Sequence, residues 1–483
     1  MGNKNPDMIC FSSIELTNPF IKKNAVQSNV VLKKINGDES KFVLRLKYEK
    51  NLNNDFLPFL RLAFCMPLLN YGLFTKQFKL DFSISKSDLI LLNGLSKVFS
   101  RDIFVNKILR RRTNYILPDF LPDEKKVKPS DAESKAVFKV TKIISDELIV
   151  KNTDKNSCGV LSSGGKESLL TYGMLKEIGC KVYPLYINES GGHWRTALTA
   201  YNYHKKNEPN TGRVWTNVDR FYVFMLDNLR FIRPDHRKVW ADTYPIRLCI
   251  FPFYIFSLLP LFAENKIGNL LIGSEFDDLR TKPSFNGIEH YYGVYDQHQD
   301  YDSVMKRWYD KRIKGLNQWS ALRNVSGLIV ERILIKRYPK LASLQRSCHS
   351  CHFEKDKIVP CGSCSKCMGV LLFLLANKAD PKIMNFKKVS IDSFYQNVKS
   401  SNLRLDQDEK NQSFYLIGKK GNVPLVEPVT HVEQIHINKY TCDHKLMPDH
   451  LRKKIIGILE QYTTGYCTLK NKKWFSSEKL KIN

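Results

Sequence analysis

The sequence predicts an α/β fold: a parallel sheet with helices on both faces, an N-terminal α+β domain, and a C-terminal helical region that bears a cysteine cluster. Three observations predict it. From about residue 155 short apolar strands alternate with amphipathic helices, a glycine-containing loop joins one strand to one helix, and five cysteines lie between residues 348 and 367. Strands that alternate with helices form parallel sheets, because each helix carries the chain back across the sheet.

The N-terminal region carries the signs of a separate α+β module. Residues 30–32 and 42–48 are strand-like, and the Asn-Gly pair at 36–37 is typical of a turn between two strands. Residues 87–100 carry apolar side chains at helical spacing. Because a proline-punctuated stretch ends this pattern, we predict an N-terminal α+β accessory domain over residues 1–130.

The alternating part of the chain predicts a second domain over residues 155–385, which leaves residues 386–483 as a C-terminal extension. Within the extension a helix is predicted at 451–462. The predicted elements of the second domain are a strand at 158–161, a helix at 168–178, a strand at 182–187, a helix at 248–264 and a strand at 269–272.

The composition narrows the class of protein. Of the 483 residues, 76 are Lys or Arg against 48 Asp or Glu, the net charge is +28, and 43% of the residues are hydrophobic. This apolar content excludes a disordered, collagen-like or coiled-coil chain. The positive charge suits binding of a nucleic acid or of another polyanion such as ATP. A compositional bias toward Lys, Asn and Ile explains the charge equally well.

The chain shows no export signal. No apolar core follows its first residues, and the longest apolar run, at 248–263, is shorter than the ~20 residues that span a bilayer. That run also contains Pro252 and Pro260. We therefore expect a cytoplasmic protein without a membrane partner. In a reducing compartment, closely spaced cysteines indicate a metal site rather than disulfides.

The segment Ser-Ser-Gly-Gly-Lys-Glu-Ser at 162–168 joins a predicted strand to a predicted helix. Gly164 and Gly165 let the backbone turn tightly, so that its N–H groups approach a bound anion. The start of the following helix adds free N–H donors and a positive dipole end. The spacing differs from that of a Walker A loop. The side chains that could assist at such a phosphate site are those of Ser163, Lys166, Glu167 and Ser168.

This loop resembles the Ser-Gly-Gly-x-Asp-Ser signature of the PP-loop ATP pyrophosphatases. The resemblance implies a Rossmann-like PP-loop fold with ATP bound at the loop, where an acceptor attacks the α-phosphate and pyrophosphate leaves. The position of the family's aspartate is occupied by Glu167, which keeps the charge on a side chain one methylene longer. We expect Glu167 to orient Mg²⁺.

The cysteine cluster predicts a metal centre. Cys361, Cys364 and Cys367 form two overlapping Cys-x-x-Cys pairs, a spacing that brings thiolates to one tetrahedral ion. The fourth ligand is Cys348 or Cys351. Four thiolates make a closed structural zinc site, and an iron–sulfur cluster is the alternative because it also takes thiolates. Less suitable substitutes for the fourth ligand are His349 and His352.

The loop and the cysteines together resemble one branch of the PP-loop family, the 7-cyano-7-deazaguanine synthases. Members of that branch end in a zinc site of the form Cys-x(about 8)-Cys-x-x-Cys-x-x-Cys. Weaker matches lie between the two motifs in the family's order. They are residues 186–193 with its Tyr/Arg/His loop, 245–247 with its Pro-Gly-Arg-Asn segment, and 272–277 with its Thr-Gly-x-x-x-x-Asp segment. The resemblance covers residues 155–385.

The same resemblance implies roles for individual residues. Gly273 and Ser274 follow a predicted strand, and ligands of open α/β sheets bind at the carboxyl ends of strands, so we expect both to contact the nucleotide. Arg247 would pair with a substrate carboxylate, or with an acidic residue of the fold. His193 would contact ribose or substrate. A purine-like edge would meet Asp277 and Asp278, for which helix capping is the alternative. The predicted catalytic residues are Lys166, Glu167 and Arg247.

These features predict an ATP-dependent ligase. It would adenylate 7-carboxy-7-deazaguanine or a similar deazapurine acid, release pyrophosphate, and pass the acyl group to ammonia or another amine. The enzyme would act by positioning and charge stabilisation. Some decorated relatives work in antiviral defence, so a protein amine is a further candidate acceptor. The expected cofactors are ATP, Mg²⁺ and Zn²⁺.

Two other functions remain open from the sequence. A tRNA sulfur transferase of the same superfamily suits the positive charge, and it would need a redox-active pair such as Cys158 and Cys180. A nucleotide-sensing binding module would use residues 1–150 to hold RNA or a protein. The partners considered are accordingly a small deazapurine acid, a protein bound through residues 1–130, tRNA, and a second copy of the chain.

Overall fold

The computed structural model describes residues 7–110, 114–239, 246–348, 350–398, 403, 405–418 and 423–477. These residues form a mixed α/β protein, as the sequence predicts, with a large, mostly parallel sheet. No helix among them is long and apolar enough to cross a membrane.

The described residues contain twenty strands. Their bounds are β1 Phe11–Thr17, β2 Phe20–Lys22, β3 Ala25–Lys34, β4 Glu39–Tyr48, β5 Gln77–Asp81, β6 Ile84–Ser85, β7 Val137–Val140, β8 Ile143–Ile144, β9 Asp154–Ser162, β10 Lys181–Asn188, β11 Gly212–Thr216, β12 Ile267–Leu271, β13 Ser284–Phe285, β14 Ile288–Glu289, β15 Asn317–Trp319, β16 His352–Glu354, β17 Lys357–Val359, β18 Ile435–Ile437, β19 Tyr466–Lys470 and β20 Lys473–Ser477.

The same residues contain thirteen α-helices and one π-helix, Phe104–Leu109. The α-helices are α1 Leu57–Cys65, α2 Lys86–Ile103, α3 Lys166–Glu177, α4 Gly191–Asn207, α5 Val218–Asn228, α6 Phe251–Glu264, α7 Gln299–Arg312, α8 Gly327–Arg337, α9 Pro339–Ala342, α10 Ser365–Ala376, α11 Lys388–Asn397, α12 Gln407–Ile417 and α13 Asp449–Glu460.

The chain divides into two compact units that interleave along the sequence. The first unit contains Met1–Thr153, Val214–Lys266 and Lys282–Gly315, and the remainder of the chain forms the second. This division differs from the predicted linear domains in two ways. Residues 214–266 and 282–315 belong with the N-terminal region, and residues 386–483 belong with the nucleotide-binding part predicted at 155–385.

The first unit explains why residues beyond 213 join the N-terminal region. Its strands run in the order β11-β4-β3-β1-β5-β7, in which β3 is antiparallel to both β4 and β1. Val214–Thr216 of β11 pair with Leu46–Tyr48 of β4, and α6 packs on α1. Residues 214–216 therefore add a strand to a sheet whose other strands come from the N-terminal region. The predicted turn at 36–37 joins β3 to β4, and Gly37 has a φ of 95°.

The second unit contains a fully parallel sheet with strands in the order β15-β12-β9-β10. The crossover from β9 to β10 runs through α3, as the sequence predicts. The chain then returns to the opposite side of β9 to form β12. Strand order thus reverses at β9, and the crevice at the carboxyl ends of the strands beside such a reversal is where open α/β sheets bind ligands.

A large hydrophobic core holds the second unit together. It joins residues of the sheet, such as Val160 and Leu271, to the helix positions Leu170 of α3 and Ile333 of α8, all of them fully buried. Ile455 of α13 belongs to the same core. The C-terminal residues are therefore part of this unit's packing rather than a separate domain.

Candidate functional site

The segment predicted to bind phosphate begins where β9 ends. β9 ends at Ser162 and α3 begins at Lys166, so the loop is short and its direction is fixed at both ends. Gly164 has a φ of 78°, and a Cβ built on it would lie 3.2 Å from the Cα of Ala197 and 3.2 Å from the carbonyl oxygen of Thr196. Only glycine suits this conformation and this close approach to α4.

The first turn of α3 offers free backbone donors. Gly165 is the N-cap and provides no side-chain acceptor. Among the described residues, the N–H groups of Lys166, Glu167 and Ser168 donate to no acceptor. The first N–H groups of a helix lack partners inside it and carry the positive end of its dipole. This turn therefore matches the predicted anion site, and Ser163 beside it is exposed.

The end of β12 lies against this turn. Gly273 follows β12, and a Cβ built on it would be 2.6 Å from the Cβ of Glu167 and 3.3 Å from the backbone nitrogen of Ser168. The glycine predicted to contact nucleotide is therefore at the first turn of α3, beside the strand reversal. Ser274, the next residue, is 2% exposed, and its Oγ has no hydrogen-bond partner among the described residues.

The predicted catalytic lysine is already engaged by carboxylates. The Lys166 ammonium makes ion pairs with Glu167 and, at 2.7 Å, with Oε2 of Glu275. Burial disfavours the charge of Lys166, but the two carboxylates outweigh that effect and raise its pKa. Burial, with repulsion from Glu167, raises the pKa of Glu275 to about 7. The positive charge at this loop is thus balanced within the protein.

Two further glutamates interact with the group formed by Lys166, Glu167 and Glu275, and the four glutamates around Lys166 are called the acidic cluster here. Glu331 of α8 is fully buried; its Oε2 accepts a hydrogen bond from Nε2 of Gln345 at 3.1 Å, and its Oε1 has no partner among the described residues. Glu409 of α12 accepts the N–H of Gly327 at 2.5 Å. Burial raises the pKa of Glu331 to about 7 and that of Glu409 to about 8, and Lys166 opposes both shifts.

Sequence reasoning missed both glutamates. Glu331 lies inside the apolar run Leu-Ile-Val-Glu-Arg-Ile-Leu-Ile, and a lone carboxylate in such a run is a signal that could have identified it. Glu409 lies in a polar helix, where nothing distinguishes it from solvated neighbours. Its role depends on the packing of residues 386–483 against the second unit.

The other predicted site residues have local partners. Arg247 lies in the first unit, where its Nη1 donates to Oδ1 of Asp219 at 2.9 Å and its guanidinium lies over the ring of Tyr222. Its predicted pairing with an acidic residue of the fold is therefore present.

His193, in the first turn of α4, has its Nδ1 4.0 Å from Oε2 of Glu189. Pro245, in the same predicted segment as Arg247, lies outside the described residues.

The two aspartates predicted after β12 have different surroundings. Asp277 is exposed. Asp278 accepts hydrogen bonds from Nε1 of Trp474 at 3.0 Å and from Nε of Arg280 at 2.7 Å. Neither aspartate is at the start of a described helix. Asp278 is thus a structural acceptor in this state of the molecule.

The cysteines converge as the metal prediction requires. The sulfur atoms of Cys348, Cys361, Cys364 and Cys367 all lie within 4.8 Å of one another. Cys361 follows the β16–β17 hairpin, and Cys364 is the N-cap of α10 with Cys367 in its first turn. The sulfur separations of 3.3 Å from Cys348 to Cys361, 3.6 Å from Cys364 to Cys348 and 3.8 Å from Cys361 to Cys367 match the roughly 3.8 Å that tetrahedral bonds of ~2.3 Å require.

This grouping selects the fourth ligand. The four-sulfur group contains Cys348 and not Cys351, which is fully buried and whose carbonyl accepts from Nη1 of Arg195 at 2.8 Å. His352 is exposed and paired with Glu354. His349 lies outside the described residues. A four-thiolate site of this geometry fits zinc and has no open coordination position.

The cysteine site and the predicted phosphate loop, residues 162–168, are joined by two hydrogen-bonded links. The backbone nitrogen of Arg346 donates to the carbonyl of Gly164 at 3.0 Å, while its Nε donates to the carbonyl of Ile358 in β17 at 2.8 Å. Thr196, whose carbonyl lies beside Gly164, donates through Oγ1 to the carbonyl of Cys348 at 3.0 Å. Arg346 therefore links the loop to the β16–β17 hairpin, and Thr196 links it to Cys348.

The pair of cysteines proposed for sulfur transfer lies away from the loop. Cys158 and Cys180 are buried and their thiols interact with each other. Cys158 precedes Ser163 by five residues along β9, which places it roughly 16 Å from the loop at ~3.3 Å per residue. The pair is therefore distant from the predicted phosphate site.

Comparison with known proteins returns no relative: no family model, no curated protein and no solved structure matches this chain.

Proposed function

We propose that this chain is a PP-loop ATP pyrophosphatase similar to the 7-cyano-7-deazaguanine synthases. It would adenylate a carboxylate such as 7-carboxy-7-deazaguanine or a similar deazapurine acid, release pyrophosphate, and transfer the acyl group to ammonia or another amine. A protein amine in antiviral defence is a further candidate acceptor, and residues 1–130 are a candidate surface for a protein partner. The reaction is a ligation driven by ATP cleavage to AMP.

The observation that carries the proposal is the first turn of α3. Its unpartnered N–H groups, the glycine N-cap Gly165 and the left-handed Gly164 lie at the strand reversal of a parallel sheet. Such a turn binds anions through backbone dipoles and needs no positive side chain. The residues present therefore fit a nucleotide phosphate, and the hydroxyl of Ser163 is an additional donor, whereas the Ser168 hydroxyl donates to the carbonyl of Gly165 at 3.2 Å.

The charges around the loop favour a metal-bound nucleotide. Lys166 is held by Glu167 and Glu275, so a bare polyphosphate would meet carboxylates as well as N–H donors. Mg²⁺ prefers carboxylate and phosphate oxygens, and Glu167 is the carboxylate nearest the loop. We propose that Glu167 holds Mg²⁺ with the nucleotide, and that Lys166 is then released toward the phosphates, where its charge would stabilise the departing pyrophosphate.

One backbone conformation outside the loop supports the resemblance. Where the synthase segment has glycine in Pro-Gly-Arg-Asn, this chain has Ile246, and its φ is 60°. That left-handed conformation favours glycine and is strained for a β-branched residue. A left-handed backbone at this position is what a glycine in the aligned segment would favour. The following Arg247 is the proposed partner of the substrate carboxylate.

The zinc ion would be structural in this proposal. Four thiolates leave no position for a substrate, and the site's contacts through Arg346 and Thr196 reach the phosphate loop. Zinc would therefore hold the loop in shape. An iron–sulfur cluster at the same thiolates would give visible absorbance, which separates the two possibilities in the purified protein.

The test is to incubate the protein with ATP, Mg²⁺ and 7-carboxy-7-deazaguanine, with and without ammonia, and to measure AMP, pyrophosphate and acyl products by mass spectrometry. The diagnostic variant is Gly165→Asp. The φ of −82° at Gly165 accepts any residue, and an aspartate is a favourable N-cap, so the fold should be kept while its carboxylate occupies the anion site.

We expect Gly165→Asp to reduce pyrophosphate release at least ~10-fold. The control is Gly94→Ala in α2, where a built Cβ meets nothing within 4 Å, and it should release pyrophosphate at the normal rate. Normal release by Gly165→Asp, or release of orthophosphate alone by the unmodified protein, would refute the proposal. ATP that is bound but never cleaved would instead indicate a nucleotide-sensing module.

A further inference from the structure

β7 is an edge strand of the first unit's sheet. It stands last in the strand order β11-β4-β3-β1-β5-β7, and among the described residues it pairs with β5 alone. The N–H of Val137 donates to the carbonyl of Lys76 at 3.0 Å, so Val137 and Lys139 direct their backbone groups toward β5. Because these directions alternate along a strand, the N–H and carbonyl groups of Phe138 and Val140 point away from the sheet. Two donors and two acceptors are therefore free to pair with an added strand.

The outer face of this edge ends on a positive charge without a counter-charge. Glu15 of β1 is the register partner of Lys79 of β5, and Lys79 is the register partner of Lys139 of β7. The Lys79 ammonium lies 3.0 Å from Oε1 of Glu15. Lys139 is exposed and forms no ion pair with any described residue. Register partners carry their side chains on one face, so a carboxylate on an added strand would give Lys139 the counter-charge that Lys79 has in Glu15.

Apolar side chains are exposed on and after the same strand. Val137 lies on the face of Lys139 and is 56% exposed. Every residue from 141 to 148 is exposed, and Ile143 and Ile144 of β8 lie in this stretch at 54% and 42% exposure. Exposed apolar side chains beside free backbone groups are typical of surfaces that bind another chain. The edge thus offers hydrogen bonds, one unneutralised charge and apolar contacts.

The charge of Lys139 disfavours a second copy of the chain as the occupant. Antiparallel pairing of two β7 strands uses all their free groups when Phe138 of one copy pairs with Val140 of the other. That register places the two Lys139 side chains directly opposite each other, where like charges are destabilising. Lysine is also a residue with which native proteins protect edge strands against self-association. An acidic segment of another protein meets no such repulsion.

We propose that the free edge of β7 is a docking site for an extended segment of a partner protein, which adds a strand through the backbone of Phe138 and Val140. The segment places a carboxylate opposite Lys139 and, two residues away, an apolar side chain opposite Val137, since alternate residues of a strand lie on one face. Backbone hydrogen bonds supply the affinity of such strand addition, and the alternating side chains supply its specificity. The site belongs to the first unit and requires neither ATP nor zinc.

The test uses a palindromic peptide, so that both strand directions present the same side chains. Its sequence is Ser-Thr-Val-Thr-Glu-Thr-Val-Thr-Ser with both ends blocked, and the control peptide carries Lys in place of the central Glu. Binding of each labelled peptide to the whole chain is measured by fluorescence anisotropy without nucleotide. We expect the Glu peptide to bind at least about 5-fold more tightly than the Lys peptide, because it exchanges repulsion for attraction at Lys139.

Hydrogen exchange locates the bound peptide. The amides of Phe138 and Val140 should exchange roughly 10-fold more slowly when the Glu peptide is present at ten times its dissociation constant. The amide of Val137 already donates to Lys76 and serves as the internal reference.

Two variants change the edge while leaving the bonds to β5 in place. Lys139→Glu should reverse the preference, so that the Lys peptide binds more tightly than the Glu peptide. The matched control is Lys97→Glu at an exposed position of α2, which makes the same change in net charge and should keep the original preference. Val140→Pro removes an N–H that faces away from β5, where an edge strand tolerates proline, and should weaken binding of the Glu peptide at least ~10-fold.

Equal affinity for the two peptides, a preference that Lys139→Glu leaves unchanged, or unaltered exchange at Phe138 and Val140 would overturn the site. Absence of binding by either peptide would also overturn it and would leave Lys139 as a guard against self-association. A dimer in sedimentation velocity that Val140→Pro abolishes would assign the edge to a second copy instead. If Val140→Pro fails to fold, the reversal by Lys139→Glu decides alone. Pyrophosphate release, measured separately, reports on the proposed function and not on this edge.

Discussion

Gly273 and Glu167 are in contact across the crevice at which strand order reverses: a Cβ built on Gly273 would lie 2.6 Å from the Cβ of Glu167. The end of β12 thus packs closely against the first turn of α3, where the free N–H donors lie. The nearest atoms belong to the helix itself and to the base of a side chain, so neither can rotate away. The position of the phosphate loop is therefore coupled to the absence of a side chain at 273.

Replacement of this glycine should displace the loop. We expect Gly273→Ala to lower the free energy of unfolding by about 1–3 kcal/mol, because the added methyl group overpacks a close contact. ATP affinity should fall roughly 10-fold, since the donors of α3 move with the backbone. Chemical denaturation and isothermal titration with ATP and Mg²⁺ measure the two effects.

The matched control is Gly457→Ala in α13 of the same unit. A Cβ there meets nothing within 4 Å, and alanine is the better helix former, so stability should rise by about 0.5–1 kcal/mol with ATP affinity unchanged. If Gly273→Ala binds ATP as tightly as Gly457→Ala, the contact between β12 and α3 does not position the binding site.

The cysteine geometry predicts which thiols retain metal. Cys364→Ser should lose zinc, because it removes one of the four converging sulfur atoms, whereas Cys351→Ser should keep one zinc per chain. Elemental analysis of the purified variants gives the stoichiometry directly. Zinc loss in Cys351→Ser would show that the fourth ligand is assigned incorrectly, and full zinc content in Cys364→Ser would contradict the four-sulfur site itself.

Removal of zinc should also weaken ATP binding at the phosphate loop. The backbone of Arg346 donates to the carbonyl of Gly164, and its side chain donates to the β16–β17 hairpin, which lies between Cys348 and Cys361 in the chain. A chelator strong enough to remove the ion should therefore weaken ATP binding, even though no thiol contacts the loop. Fluorescence titration with a labelled ATP analogue, before and after chelation and after zinc is restored, tests this. Unchanged affinity in the metal-free protein would mean that the hairpin keeps its shape without zinc.

The local elements of the part predicted to bind nucleotide, residues 155–385, were predictable from periodicity. The expected strand at 158–161 and helix at 168–178 correspond to β9 and α3, and the strand at 182–187 corresponds to β10. These elements succeed one another along the chain, and hydrophobic spacing determines each of them. The loop at residues 162–168 was predictable as well, because the end of the strand, the turn and the start of the helix are adjacent in the sequence.

Hydrophobic periodicity did not predict the interleaving of the two units. It also did not predict that Glu331 and Glu409 belong to the acidic cluster. Val214–Thr216 pair with β4, more than a hundred residues away, and nothing in either segment specifies its partner. Glu331 and Glu409 reach Lys166 through the packing of α8 and α12. Such long-range contacts depend on the tertiary arrangement, which hydrophobic periodicity in a single sequence does not encode.

The buried carboxylate of Glu331 predicts a pH dependence of stability. Burial raises its pKa to about 7 from the model-peptide range near 4.5, so the folded state binds more protons than the unfolded state between these values. The contribution of Glu331 is then full below about pH 4.5 and is lost as the pH rises through about 7. Glu331→Gln should stabilise the protein at pH 8 by on the order of 1–3 kcal/mol and have little effect at pH 4.5.

Urea denaturation of Glu331→Gln at the two pH values checks this, with the exposed Glu264→Gln as the control that leaves the pH profile unchanged. A glutamine amide keeps an acceptor for Gln345, so the hydrogen bond is not the variable. Equal effects at both pH values would show that Glu331 is neutral in the folded protein throughout this range or that packing dominates.

The last prediction concerns Lys166 and its partners. Lys166→Met removes the ammonium that Glu167 and Glu275 share and leaves their repulsion uncompensated. At pH 8 both carboxylates are ionised in the unfolded chain, and the folded chain must protonate one or keep both charges close together. We expect a loss of about 1–3 kcal/mol in the free energy of unfolding at pH 8 and a smaller loss at pH 5. The double variant Lys166→Met with Glu275→Gln should recover most of the loss, because it removes one of the two charges. Urea denaturation of the three proteins at both pH values distinguishes this from a packing effect, since a methionine that simply fits poorly would cost the same at either pH and would not be rescued by Glu275→Gln.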